Sequence, residues 1–144
     1  MILRSEHDKA EISLAEWAMD TTPAGSRWPL CLALSVETVG FRGGDLVWVE
    51  ADDWTRFLAA FRELERTRRG SAELRSVMPE DCVIRFRILD PAGHVGVEGH
   101  LVRRGAPTHG PRSARLEFAL EIDPGDLATA LREFEGYSAG AAHG

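Results

Sequence analysis

CVIRFRILDPAGHVGVEGHLV, residues 82–102, is the stretch that decides the fold. Apolar and polar residues alternate on both sides of a central turn, which is typical of two half-buried strands. In the turn Asp90–Gly93, Asp bonds to nearby backbone, Pro fixes φ and Gly accepts a positive φ. We therefore predict an antiparallel hairpin with strands Cys82–Leu89 and His94–Val102. The side chains expected to point inward are Ile84, Phe86, Ile88, Val95, Val97 and Leu101.

The stretch VEADDWTRFLAAFRELERTRRG, residues 49–70, predicts a strand that runs into an amphipathic helix. Asp52 or Asp53 is expected to cap the first turn, and Gly70 is expected to end the helix. The alternative is that these two aspartates and Glu50 form a functional carboxylate cluster, but no complementary acid, base or metal ligand lies near them in the sequence. The apolar stripe follows helical spacing and comprises Trp54, Phe57, Leu58, Phe61 and Leu64.

The remaining segments predict further strands and one more helix. LCLALSV, from Leu30, alternates like a half-buried strand, and Gly43-Gly44-Asp45 is the expected turn before a strand in which Leu46 and Trp48 point inward. ELRSVM predicts a short strand, ARLEFALEI a longer one, and Asp123-Pro124 the start of a second helix. Short turns between consecutive strands favour antiparallel neighbours, so we predict an α+β fold with one curved antiparallel sheet of about six strands and two amphipathic helices.

Length and composition place the chain among ordinary globular proteins. At 144 residues it is expected to form a single domain over residues 1–138, followed by a disordered tail over 139–144. The first residues lack the features of a secretory signal and no apolar run is long enough for a membrane span, so we expect a cytoplasmic protein without a membrane partner. A net charge of −6 argues against a nucleic-acid partner and permits a basic protein partner. Cys31 and Cys82 lack CxxC spacing and are expected to be free thiols.

Candidate functional residues lie on the polar face of the predicted sheet. Arg85, Arg87, Glu98 and His100 form either a charge ladder across strands, with Arg115, Glu117 and Glu121, or a recognition surface. Trp28 flanks a loop, where an exposed aromatic side chain can anchor a partner, although peripheral packing explains it as well. The five histidines lack metal-binding spacing and no nucleophile or phosphate-binding motif is present, so we expect no catalytic residue, no metal and no cofactor.

Three stretches together resemble a known family. They are LVWVEADDWTRFLAAFREL, VIRFRILDPAGHVGVEGHLV and LEFALEIDPGDLATALREFE, in that order. Their layout resembles WapI-type bacterial immunity proteins from about Leu30 to Phe134, with Asp90, Gly93 and His94 in the hairpin pattern. The resemblance supplies no catalytic residues. It implies a cytoplasmic bacterial protein that binds and neutralises a toxin.

The leading hypothesis is therefore a non-enzymatic immunity protein with a toxin domain as its partner. The alternative is a domain that binds a small ligand or a regulatory partner on its sheet, and an unrecognised hydrolase comes third. The candidate partner-binding residues are Trp28, Glu50, Arg85, Arg87, Glu98 and His100. Neither the toxin nor the oligomeric state follows from the sequence.

Overall fold

The computed structural model describes residues 1–5, 7, 9–17, 30–104 and 113–141, with the backbone alone for residues 104, 113 and 138–141. The described residues form eight strands and two helices. Their order is β1 (Ile2–Arg4), β2 (Glu11–Glu16), β3 (Leu30–Thr38), β4 (Phe41–Val49), α1 (Ala51–Thr67), β5 (Ser71–Arg75), β6 (Cys82–Ile88), β7 (Val95–Arg104), β8 (Ser113–Ile122) and α2 (Asp126–Ala141).

The strands form two antiparallel sheets. Sheet 1 has the order β1-β2-β3-β4 and sheet 2 has the order β5-β6-β7-β8, so each strand pairs with its neighbours along the chain. A single bridge between Ser5 and Ile122 connects the end of β1 to β8. The predicted α+β class is confirmed, although eight strands in two sheets replace the expected single sheet of about six. The sequence prediction omitted β1 and β2.

The hairpin of β6 and β7 agrees with the prediction. The two strands pair from Cys82 opposite Leu101 to Ile88 opposite Val95. Gly93 has a φ of 92°, and its N–H donates to the carbonyl of Asp90 at 3.0 Å. The turn therefore lies at the predicted residues, and Gly93 has the positive φ that was expected of it.

The turn between β3 and β4 is not where we predicted it. Strand pairing continues to Thr38 opposite Phe41, and Gly40 makes the turn with a φ of 83°. Gly43-Gly44-Asp45 lies inside β4. The backbones of β3 and β4 approach closely at Gly44. A Cβ on this residue would lie 2.9 Å from the carbonyl oxygen of Leu34. Gly44 thus serves strand contact rather than chain reversal, and a Cβ on Gly43 would lie 3.2 Å from the Leu116 side chain on β8.

This shift reverses the faces of β4. Val47 and Val49 are buried, whereas Leu46 and Trp48 are exposed by 41% and 37%. The predicted inward orientation of Leu46 and Trp48 is therefore wrong. Because side chains alternate along a strand, moving the phase by one residue exchanges its two faces.

β4 is an edge strand whose free backbone groups are partly occupied. The Asp45 carboxylate accepts from the N–H of Leu46 at 2.8 Å. The carbonyl of Trp48 accepts from the N–H of Val77 at 2.7 Å. Both contacts occur at the end of β4 that precedes α1.

Helix α1 starts and ends differently from the prediction. Its N-cap is Glu50, whose side chain makes no capping hydrogen bond, and Asp53 instead accepts from Arg56 at 2.8 Å. At the other end Arg68 adopts the left-handed conformation with a φ of 55°, and its N–H donates to the carbonyl of Leu64 at 2.9 Å. The helix therefore ends at Thr67, and its C-cap Arg68 lies two residues before Gly70.

The buried stripe of α1 packs into a cluster of aromatic rings. The ring centroid of Phe61 lies 5.0 Å from that of Phe86 on β6 and 5.2 Å from that of Phe134 on α2. Phe57 lies 5.3 Å from Phe134. Edge-to-face contacts of this kind add to the burial of apolar area, so the cluster joins both helices to sheet 2.

Helix α2 continues to Ala141. The prediction of a disordered tail over residues 139–144 stays a prediction, and residues 142–144 lie outside the described residues. Among the described helices, none is long and apolar enough to cross a membrane.

Candidate binding surface

The outward face of sheet 2 brings most of the predicted site residues together. Strand register places Glu73 opposite Arg85, and Arg85 opposite Glu98. The next row places Val83 opposite His100. Alternation sends the apolar residues of these strands to the core, so the polar residues gather on one surface.

Ion pairs join the charged residues of this surface. The Oε2 atom of Glu73 accepts from Arg85 through Nε at 2.9 Å and Nη2 at 2.6 Å, and its Oε1 atom accepts from Arg75. Arg87 Nε lies 3.1 Å from Glu98 Oε1. The cations and carboxylates of these strands thus neutralise one another, as expected for a cross-strand charge ladder.

The hydrogen bonds alter the acidity of Glu73. Partial burial alone would raise the pKa of its carboxyl group, but the hydrogen bonds from Arg85 and Arg75 outweigh burial and lower the pKa below its ordinary value of 4.5. Glu73 therefore stays ionised and holds both arginines in place.

The same face contains a shallow, open depression of about 680 Å³. Its lining includes Val83, Gly99 and Ala119 together with several charged side chains. Pro79 also lines it, and the Pro79 carbonyl lies 3.1 Å from Nε2 of His100. A depression with both small and charged lining residues can accept a polar projection of a partner.

The predicted site residues divide into three groups. Arg85, Glu98 and His100 line the depression, and Arg87 joins them through its ion pair with Glu98. Glu50 lies elsewhere, at the N-terminus of α1. Trp28 lies outside the described residues.

Sequence reasoning missed two members of the surface, Glu73 and Arg75. Both belong to β5, which was predicted as a weak strand with later boundaries. The alternation of Ala72 and Leu74, both buried, with polar neighbours was the signal that could have identified them.

A second group of titratable residues lies at the β6–β7 turn. His94 Nδ1 lies 2.5 Å from the Asp90 carboxylate, and this hydrogen bond is the main reason why the pKa of Asp90 is lowered. Glu121 Oε1 lies 4.0 Å from His94 Nε2 and 3.7 Å from His7 Nε2. Within the described parts of the chain, no three His, Cys, Asp or Glu side chains are arranged to hold a metal ion.

The described residues thus form an α+β protein in which the outward face of sheet 2 carries paired charges. The chain belongs to the immunity protein WapI-like family, whose model matches residues 1–139. The match confirms the resemblance found in the sequence and extends it over the N-terminal segment before Leu30. No curated protein and no solved structure matches the chain.

Proposed function

We propose that this protein protects a bacterial cell by binding a cognate toxin domain in the cytoplasm, one to one and without turnover. The family match over residues 1–139 carries the proposal, because it supports an immunity-protein role. The family is generally non-enzymatic, which supports inhibition by binding. Bacterial origin and cytoplasmic location are part of the same proposal.

The outward face of sheet 2 is the proposed contact surface for the toxin. The depression formed around Arg85, Glu98 and His100 provides a concave surface on rigid strands. Glu73 holds Arg85 and Arg75 in defined positions through hydrogen bonds, so these two side chains lose less freedom on binding. Preorganised charges favour specificity for one partner over others.

Co-expression with the toxin encoded by the neighbouring gene tests the proposal. Cells that produce the toxin should grow only when this protein is present, and a toxin from an unrelated system should still kill them. Size-exclusion chromatography with light scattering should show a one-to-one complex. Mass spectrometry should show an unchanged toxin, whereas a modified toxin with protection at substoichiometric amounts would establish enzymatic inactivation instead.

A charge-reversal variant tests whether sheet 2 forms the contact surface. Arg85→Glu reverses a charge in the centre of the ladder, next to two carboxylates, and should weaken binding to the toxin. Arg62→Glu, which alters the exposed pair with Glu135 between α1 and α2, is the matched control. Equal binding of both variants to the toxin would show that the contact surface is not the outward face of sheet 2.

A second candidate function is binding of a small polar ligand in the depression. The depression is lined by Arg85, Glu98 and His100, whose charged and polar groups can contact such a ligand, which favours this alternative. Native mass spectrometry of the protein purified from its host would test it. A retained small molecule that Arg85→Glu releases would support ligand binding.

A further inference from the structure

The outward face of sheet 1 carries exposed apolar side chains where β4 approaches α1. Leu46 and Trp48 project from the same face of β4, because Val47 and Val49 point to the core. Large apolar side chains that stay exposed near one another commonly mark an interaction site.

The loop of residues 76–81 lies beside the same edge strand and adds two exposed apolar side chains. The hydrogen bond from Val77 N–H to the Trp48 carbonyl holds Val77 beside β4. The carbonyl of Met78 accepts from the Ser76 hydroxyl and from the N–H of Asp81, so the loop is internally braced. Val77 and Met78 are exposed by 44% and 51%. We call Leu46, Trp48, Val77 and Met78 the Trp48 patch.

Carboxylates flank the Trp48 patch in the chain. Glu50 follows Trp48 by two residues, Asp52 lies in the first turn of α1, and Glu80 follows Met78 by two residues. Among the described residues, none of these three carboxylates forms an ion pair, whereas Glu73 and Glu98 on sheet 2 are both paired. Part of the net charge of −6 is therefore uncompensated beside an apolar surface.

We propose that the Trp48 patch anchors a cationic surface of the toxin, an inference that rests on the proposed immunity function. Lys or Arg side chains can lie against the indole face of Trp48 through cation–π contact while the flanking carboxylates attract them. A second copy of this chain fits poorly, because a two-fold contact would bring carboxylates of both copies together. The loop of residues 76–81 also reaches the depression on sheet 2, because Pro79, which belongs to this loop, lines that depression.

Titration of the toxin domain encoded by the neighbouring gene against purified variants tests this inference. Trp48→Ala should weaken binding by about 30-fold or more, as expected for a central aromatic anchor. Met78→Lys places a positive charge in the patch without removing a core side chain, and should weaken binding as well. Phe41→Ala is the matched control, because Phe41 is an exposed aromatic residue on the same strand, about 24 Å from Trp48.

A charge pair of variants tests the cationic nature of the partner. Glu80→Lys should slow association more than Glu37→Lys, although both change the net charge equally. Glu37 lies opposite Arg42 in the β3–β4 register, near the end of β4 that is far from Trp48. Equal effects of the two substitutions would show that only the overall charge matters and would overturn a local cationic contact.

The outcomes separate this inference from the proposed function. Tight binding by wild type with unchanged binding by Trp48→Ala and Met78→Lys would overturn the patch and leave toxin neutralisation intact. Failure of wild type to bind the toxin would overturn both. Dimerisation of the wild-type protein that Met78→Lys abolishes, measured by analytical ultracentrifugation, would assign the patch to self-association and overturn the cationic partner.

Discussion

Glu73 on β5 and Arg85 on β6 face each other across the strand pair and share two hydrogen bonds, at 2.9 and 2.6 Å. Arg75 occupies the other oxygen of the same carboxylate. One carboxylate therefore positions two cations on the outward face of sheet 2, which makes Glu73 the centre of the charge ladder.

The lowered pKa of Glu73 predicts a pH-dependent contribution to stability. A carboxyl group whose pKa is lowered on folding stabilises the protein above its unfolded pKa, near 4.5, and loses that contribution as pH falls toward the folded pKa. The difference in unfolding free energy between wild type and Glu73→Gln should be largest at neutral pH and shrink below about pH 4.5. Urea titrations over this range measure it. Glu117→Gln, which removes the exposed partner of Arg115, is the control and should show a smaller difference.

Phe61 is fully buried among aromatic rings, so Phe61→Ala should lower the unfolding free energy by about 3–5 kcal/mol. The loss combines apolar transfer with the cavity left between α1, α2 and β6. Phe41→Ala removes the same ring from an exposed position and should change stability by less than about 0.5 kcal/mol. Chemical denaturation of both variants tests this, and equal effects would contradict the packing described for α1.

Gly99 is required where β6 and β7 approach each other. A Cβ on Gly99 would lie 2.0 Å from the carbonyl oxygen of Val83, a backbone atom that cannot turn aside. Gly99→Ala should therefore destabilise the protein by about 3 kcal/mol or more. Gly96→Ala, on the same strand, meets only the flexible side chain of Leu89 and should cost less. Thermal melting of the two variants compares their stabilities. A lower melting temperature for Gly96→Ala than for Gly99→Ala would contradict the close backbone contact at Gly99.

Both cysteine thiols should be inert in the folded protein. Cys31 and Cys82 are buried, and burial, followed by the nearby charge of Asp81, raises the pKa of Cys82 to about 12. Burial raises the pKa of Cys31 as well. Because the thiolate is the reactive form, iodoacetamide at neutral pH should modify neither residue until denaturant unfolds the chain. Rapid modification without denaturant would show that the core opens locally.

Toxin association should depend on salt. If a basic toxin surface approaches uncompensated carboxylates, long-range attraction accelerates encounter and is screened over about 8–10 Å at moderate ionic strength. The association rate should therefore fall as salt rises, while the dissociation rate changes less. Stopped-flow mixing with the toxin domain measures both rates. An association rate independent of salt would contradict electrostatic steering.

The hairpin of β6 and β7 was predictable because its alternation and its turn residues support the same structure. The central stripe of α1 was predictable for a similar reason, since Trp54, Phe57 and Phe61 are all buried at helical spacing. Where alternation, turn residues and helical spacing all favour the same structure, the local sequence alone is sufficient to predict it. The class and most of the pairing therefore followed from the sequence.

β4 shows why part of the fold could not be predicted. Leu46 and Val47 are both apolar, as are Trp48 and Val49, so alternation alone does not determine which pair enters the core. The glycines at 43 and 44 suggested a turn, whereas both lie inside β4 and Gly44 permits the close approach to β3. Only the register with β3 resolves the phase.

The candidate surface was predicted in part for a related reason. Arg85, Arg87, Glu98 and His100 lie on strands with clear alternation, so their common face followed from the sequence. Glu73 and Arg75 belong to β5, the strand just before β6, which was predicted two to three residues too late in the chain, at residues 73–78, so its pairing with β6 was not recognised. The placement of Glu50 away from the others likewise depends on which sheet β4 joins.

The edge of β4 also limits how another chain can use it. The side chain of Asp45 occupies one backbone donor and Val77 occupies one backbone acceptor, so an added strand would have to displace both before it could extend sheet 1. Strand addition is a common route by which exposed edges start fibrils. At this end of β4, a partner can therefore bind through the exposed side chains, whereas the occupied backbone groups block the addition of another strand.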